Sequence, residues 1–240
     1  MKVLVLGASG LTGRLVLQQL VNRNINTKIV VRDIEKISKD IRNSKPVECI
    51  TGNISEFDLD KNIDLVRDCD AVISCLGHNI SFKGIFGKPG LLVANSIKNI
   101  CEAINAGKKE KVKLILMNTT AVRNKAIKEI YSLPDKMVLS LFGLLLPPQK
   151  DNVEAASYLL NTIGNSNKKI EWTVVRPDTL INEDKESKYE LLESPKQSPV
   201  FNSGKTSRIN VSHFMTELLA DEELWNKWKY KMPVIYNTEK

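Results

Sequence analysis

The sequence predicts an α/β chain built on a doubly wound parallel sheet, and two observations carry that expectation. Short apolar runs alternate with helical patterns at the spacing of successive βαβ units. The first run, Val3 to Leu6, passes directly into Gly7, Gly10 and Gly13 and then into an apolar helical stripe at Leu11, Leu15, Val16 and Leu20. At 240 residues and 42% hydrophobic content the chain can bury a full core. One domain is expected over 1–240, with its core over 1–177 and a small C-terminal substrate-side lobe over 178–240.

Taken in order, strands are expected at 2–6, 27–32, 46–50, 70–75, 112–118 and 170–176, with weaker patterns at 207–211 and 233–236. Helices are expected at 11–23, 34–41, 89–106, 127–145, 150–164 and 212–228, with a turn or short helix at 58–67. Pro89 and Ser212 are helix-start signals; Gly107 and Gly164 are stops. Two connections interrupt the alternation. The glycine-rich 77–90 is expected to form a pocket wall, and the polar 178–206, with Pro195 and Pro199, part of the lobe. The run Met137 to Leu146 is shorter than the roughly 20 apolar residues that span a bilayer, so a buried helix or a lid over a pocket is expected there.

Composition narrows the partners. The net charge of +7 is spread among acids, with no basic helix face interleaved with aromatics, so nucleic acid is not expected. A small-molecule substrate is expected, and neither a membrane nor a metal is. Cys49, Cys69, Cys75 and Cys101 form no C-x-x-C pair and no metal-ligand spacing with His, which predicts reduced thiols. Met1 abuts the first strand without a signal peptide, so a cytoplasmic location is expected. The stretch Gly204-Lys205-Thr206-Ser207 has the end of a P-loop, but Pro199 stands where the motif needs its first glycine.

Strand, glycine turn and helix form a Rossmann-type arrangement for a dinucleotide pyrophosphate. The helix N-terminus supplies free N–H groups and a positive dipole end, and glycines admit the phosphates close to the backbone. The spacing here is G-x-x-G-x-x-G. The second strand ends Val30-Val31-Arg32-Asp33. Arg32 and Arg14, which follows the third glycine, can converge on a ribose 2′-phosphate, whereas Asp33 serves either a ribose hydroxyl or a helix cap. NADP(H) is therefore favoured over NAD(H).

Five blocks in order carry a resemblance: Val5 to Arg14 (Val-Leu-Gly-Ala-Ser-Gly-Leu-Thr-Gly-Arg), Val30 to Asp33, Gly52-Asn53-Ile54, Ile73-Ser74-Cys75-Leu76-Gly77, and Trp172 to Pro177. Together they resemble the atypical short-chain dehydrogenase/reductases, in particular the NmrA-like and biliverdin IXβ/flavin reductase group of NAD(P)H-binding proteins. The resemblance implies that Gly7, Ser9, Gly10, Leu11, Thr12 and Gly13 wrap the pyrophosphate and that Arg14 and Arg32 hold the 2′-phosphate. It places Asn53 and Ile54 beside the adenine, Leu76 and Gly77 toward the nicotinamide, and Asn118, Thr119 and Thr120 beside that ring. Thr120, His78 and Lys150 are the catalytic candidates.

Classical members of the superfamily pair a tyrosine with a lysine four positions on, and the lysine lowers the tyrosine pKa for proton transfer. Tyr131 is followed at that position by Asp135, Tyr158 by Thr162, Tyr189 by Glu193 and Tyr230 by Val234, so the pair is expected to be absent. Reduction of a flavin, quinone or similar conjugated acceptor needs a positioned nicotinamide and a flat apolar pocket more than a catalytic acid. The favoured reading is an NAD(P)H-dependent reductase of such an acceptor. The alternative is a non-catalytic NADP(H)-sensing regulatory module acting through a protein partner.

Overall fold

The computed structural model describes residues 1–78, 90–107, 110–129 and 131–238. Its strands are β1 (Lys2–Leu6), β2 (Asn26–Val31), β3 (Val47–Thr51), β4 (Ala71–Ser74), β5 (Val112–Met117), β6 (Ile170–Pro177), β7 (Thr179–Ile181), β8 (Tyr189–Leu192), β9 (Lys205–Ser207) and β10 (Val234–Asn237). The described helices are α1 (Gly13–Asn22), α2 (Lys39–Arg42), α3 (Leu59–Val66), α4 (Leu92–Ala106), α5 (Leu133–Leu145), α6 (Pro147–Tyr158), α7 (Arg208–Ala220) and α8 (Glu222–Trp228). A π-helical turn, Leu159–Ile163, ends α6.

Eight strands form one sheet in the order β3-β2-β1-β4-β5-β6-β10-β8, parallel except where β8 runs antiparallel to β10. Both faces of the inner strands are covered, which is why β1 reads as an unbroken apolar run. Leu4 and Leu6 enter the core shared with α3, α4 and α6, whereas Val3 and Val5 enter the core shared with α1, α7 and α8. The chain order reverses at β1, which has β2 on one side and β4 on the other. In such sheets the crevice outside the strand ends at the reversal receives the ligand.

The C-terminal segment is fused to this sheet. β10 and β8 extend it, α7 packs on α1, and a separate parallel pair, β7 and β9, stands outside it. The expected strand at 207–211 is instead the start of α7, because the Ser207 hydroxyl accepts the Asn210 N–H and caps a helix there. The single helix expected over 212–228 is two, since Asp221 ends α7 and caps α8. The helix expected from 127 begins at Leu133, after turns that place Glu129 in the interior.

The largest departure is α5. Of the two readings for Met137 to Leu146, burial fails, since within α5 the only buried residue is Asp135, whereas Phe142 and Leu146 do line a cavity, as a cover over a pocket would. The cause is local: Asp135 is anchored by the Ser132 hydroxyl at 2.6 Å and the Ser198 hydroxyl at 2.5 Å, which turns the opposite, apolar face outward. Of the expected pocket wall at 77–90, positions 79–89, with Phe82, Phe86 and Pro89, lie outside the described residues.

Candidate active site

The glycine turn closes against β4 at the sheet's reversal. Gly7 has φ +76°, and a Cβ there would lie 2.6 Å from the Cys75 carbonyl oxygen. A Cβ on Gly13 would lie 2.1 Å from the Gly7 carbonyl oxygen, so both positions admit only glycine for reasons of packing. Gly10 closes the turn by donating its N–H to the Gly7 carbonyl at 2.9 Å. α1 then starts with no side-chain cap and no acid in its first turn, an N-terminus open to an anion.

A cleft of about 250 Å³ runs past this turn, lined by Gly7, Ser9, Gly10, Arg32, Asn53, Ile54, Leu76 and Gly77 among the predicted residues. Leu11, Thr12, Gly13 and Arg14 form the turn and the helix start without lining the cleft. Lys36, which sequence reasoning missed, lines it beside Arg32. Both acids of that segment are otherwise engaged. The Asp33 carboxylate accepts the Glu35 N–H at 3.0 Å and caps a 3₁₀ turn, and Glu35 is paired twice with the Arg42 guanidinium, at 2.5 and 3.2 Å. The Arg42 hydrogen bond holds the Glu35 carboxyl below its usual range. This end of the cleft therefore presents two cations, and the glycine cradle with its uncapped helix has the chemistry to hold a pyrophosphate. The residues present fit a dinucleotide.

Leu76 and Gly77 are shared with a second cavity of about 380 Å³, so the two spaces adjoin. Met117, Asn118, Phe142, Leu146 and Pro148 line it, together with His78. His78 Nε2 lies 2.7 Å from an Asp151 carboxylate oxygen, and Asp151 is fully buried. The same carboxylate accepts the N–H groups of Val93 at 2.8 Å and Ala94 at 2.7 Å, closing the N-terminus of α4. An anion at the positive end of a helix is stabilised there, and it fixes the imidazole in place. Sequence reasoning singled out Lys150 and passed over its neighbour. One step along a helix turns a side chain by about 100°, which leaves Lys150 exposed and paired with Glu154 while Asp151 faces inward.

Asn118 is tied down on both sides, donating to the Asn152 carbonyl at 2.9 Å and accepting the Thr119 N–H at 2.9 Å. The Thr119 hydroxyl accepts the Ala121 N–H at 3.2 Å. Thr120 is buried beneath the site: its carbonyl accepts the Tyr131 hydroxyl at 2.6 Å, and it lines neither cavity. Cys75 lines the cleft, but burial pushes its thiol up to about 12, so it is no nucleophile.

The fifth tyrosine, Tyr236, does have a lysine four positions on, Lys240, so the spacing is present in the chain. Lys240 lies outside the described residues. Tyr236 belongs to strand β10. Its ring is 1% exposed and abuts Gly204, and burial with the neighbouring Asp178 carboxylate pushes its phenol above the usual value. That is the opposite of what the classical pair achieves.

A family described as NAD(P)H-binding matches residues 7–222. An uncharacterized chloroplastic protein of Arabidopsis thaliana is 27% identical over 228 residues, 92% of this chain and 73% of its own length. A short-chain dehydrogenase/reductase from Veillonella parvula, solved in complex with NADP, superposes with a TM-score of 0.68 at 16% identity, covering 98% of this chain and 94% of that one. An anaerobillin reductase from Escherichia coli O157:H7 superposes with a TM-score of 0.69 at 16% identity, covering 100% and 98%. At these identities the two structures speak for the fold. The chloroplastic relative lends the expected cytoplasmic location no support. Among the described residues no helix is long and apolar enough to cross a membrane.

Proposed function

The chain belongs to the NAD(P)H-binding family, and from that premise we propose that it is an NAD(P)H-dependent reductase of a flavin, quinone or similar conjugated acceptor, with NADP(H) favoured as cofactor. The observation that carries this reading is the junction at Leu76 and Gly77, where a cleft suited to a dinucleotide opens into a pocket lined by Met117, Phe142, Leu146 and Pro148 together with His78, Asn118, Gln149 and Asn152. When bound, the cofactor supplies a hydride to an acceptor held in that pocket.

The chain's own residues do the rest. Arg32 and Lys36 hold the adenosine end, and the turn from Gly7 to Gly10 cradles the pyrophosphate. Met117, Phe142 and Leu146 offer flat apolar contacts and exclude water. His78, oriented by Asp151, delivers the proton that accompanies the hydride. The structural neighbour that reduces anaerobillin supports a conjugated acceptor by analogy of fold only.

His78→Gln is expected to lower kcat/KM for the best acceptor about 100-fold, within the usual range for a positioned acid. The Kd for NADPH should stay within twofold. Steady-state oxidation of NADPH, with a parallel binding titration, checks this. An unchanged kcat/KM in the variant would remove His78 from the chemistry.

A further inference from the structure

The outward face of α5 has no role in the reading above. Leu133, Met137, Leu141, Leu144 and Leu145 fall within about 120° of one another around the helix axis. Met137 is 74% exposed and Leu144 81%, and the other three are exposed as well. An amphipathic helix of a globular chain turns such a stripe inward. Here the inward residue is Asp135, fixed by Ser132 and Ser198, so the outward display is built into the fold.

The charge around the stripe is one-sided. Between 121 and 150 the chain carries Arg123, Lys125, Lys128, Lys136 and Lys150, all exposed, against two acids, Glu129 and Asp135, both buried and hydrogen-bonded. Four of these cations line cavities that residues of the helix also line. Arg123, Lys125 and Lys136 line a cavity with Leu139 and Gly143, and Lys150 lines another with Leu144 and Leu145.

We propose that α5 docks this protein on an anionic lipid bilayer, lying in the interfacial plane with its apolar stripe among the acyl chains and its flanking cations on the headgroups. A 13-residue helix is about 20 Å long, enough for such a contact and too short to span. Exposed apolar residues framed by an excess of cations, of which Lys150 is paired with Glu154, are complementary to a negatively charged apolar surface. Phe142 and Leu146, at the side and end of this helix, also line the His78 pocket. The pocket thus adjoins the docking face, and, if the proposed reductase reading holds, its acceptor is drawn from the lipid phase.

The test is co-sedimentation of the full chain with phosphatidylcholine vesicles, with and without 30% phosphatidylglycerol, alongside Leu141→Asp/Leu144→Asp. Both positions are exposed and lie outside the cofactor cleft and the His78 pocket, and an unchanged melting temperature confirms that the variant folds. The expected result is at least tenfold more binding to anionic than to neutral vesicles, weakened by raised salt and lost in the variant. No sedimentation with anionic vesicles at low salt overturns the proposal. So does a dimer in solution that the double substitution dissociates, because a second copy then covers the stripe. None of these readouts depends on turnover, so failure of docking is separable from failure of the reductase reading.

Discussion

Replacing Arg176 with Ala is expected to lower the free energy of unfolding by about 3–5 kcal/mol, the usual cost of breaking a buried ion pair from one side. Arg176 and Glu129 are both 0% exposed and meet through two contacts, at 2.6 and 3.2 Å. The same guanidinium donates to the carbonyls of Met232 at 2.8 Å, Val122 at 3.0 Å and Glu193 at 3.1 Å. One side chain therefore ties β6 to the segment before β10, to the turn after β5 and to the end of β8. Its loss leaves the Glu129 carboxylate buried without a counter-ion, and marginal domains have only about 5–15 kcal/mol in total. Urea unfolding measures the loss. The double variant Arg176→Leu/Glu129→Leu should fall short of the summed single losses by at least about 1 kcal/mol, because the stranded charge is removed with its partner. A single-variant loss below about 1 kcal/mol would show that the pair carries little of the fold.

Arg32→Glu is expected to weaken NADPH binding by about 100-fold or more while NADH changes by less than about threefold. A hydrogen bond to a charged group contributes about 1.5–3 kcal/mol, and reversing the charge adds repulsion to that loss. The prediction rests on the cleft's composition. Asp33 caps its own turn and Glu35 is held by Arg42, so neither carboxylate is spare for a ribose hydroxyl, whereas Arg32 and Lys36 both line the cleft. Paired fluorescence titrations with the two cofactors measure the split. Equal weakening of both would mean that Arg32 does not read the 2′-phosphate.

The fold was legible where short-range pattern decides it. β1 through β6 alternate with helices of clear periodicity, and the glycine turn stands where strand hands over to helix. The C-terminal third was less so, because β7, β8 and β9 are three or four residues long and owe their pairing to partners far along the chain. A one-residue cap at Ser207 was enough to turn an expected strand into a helix. The burial expected of α5 fails because hydrophobicity says which residues share a face, not which way the face points; one buried carboxylate decides that. In the site, residues on the glycine turn and β2 announced themselves by type. Asp151 did not, since its partners lie 73 positions away at His78 and 57 away at Ala94, and only the packed fold brings them together. Arg176, quoted in the sequence as part of a family block, proved to be a tie within the core.

The central claim, a dinucleotide cleft opening onto an acceptor pocket, is tested most directly by titrating the purified chain with NADPH and NADH and then adding flavins and quinones in the same cuvette. The account predicts saturable binding, tighter for NADPH, followed by its oxidation with at least one conjugated acceptor. Tight binding with no oxidation against any of them would contradict the reductase and favour a regulatory module that senses NADP(H). Absence of binding would contradict the cleft itself.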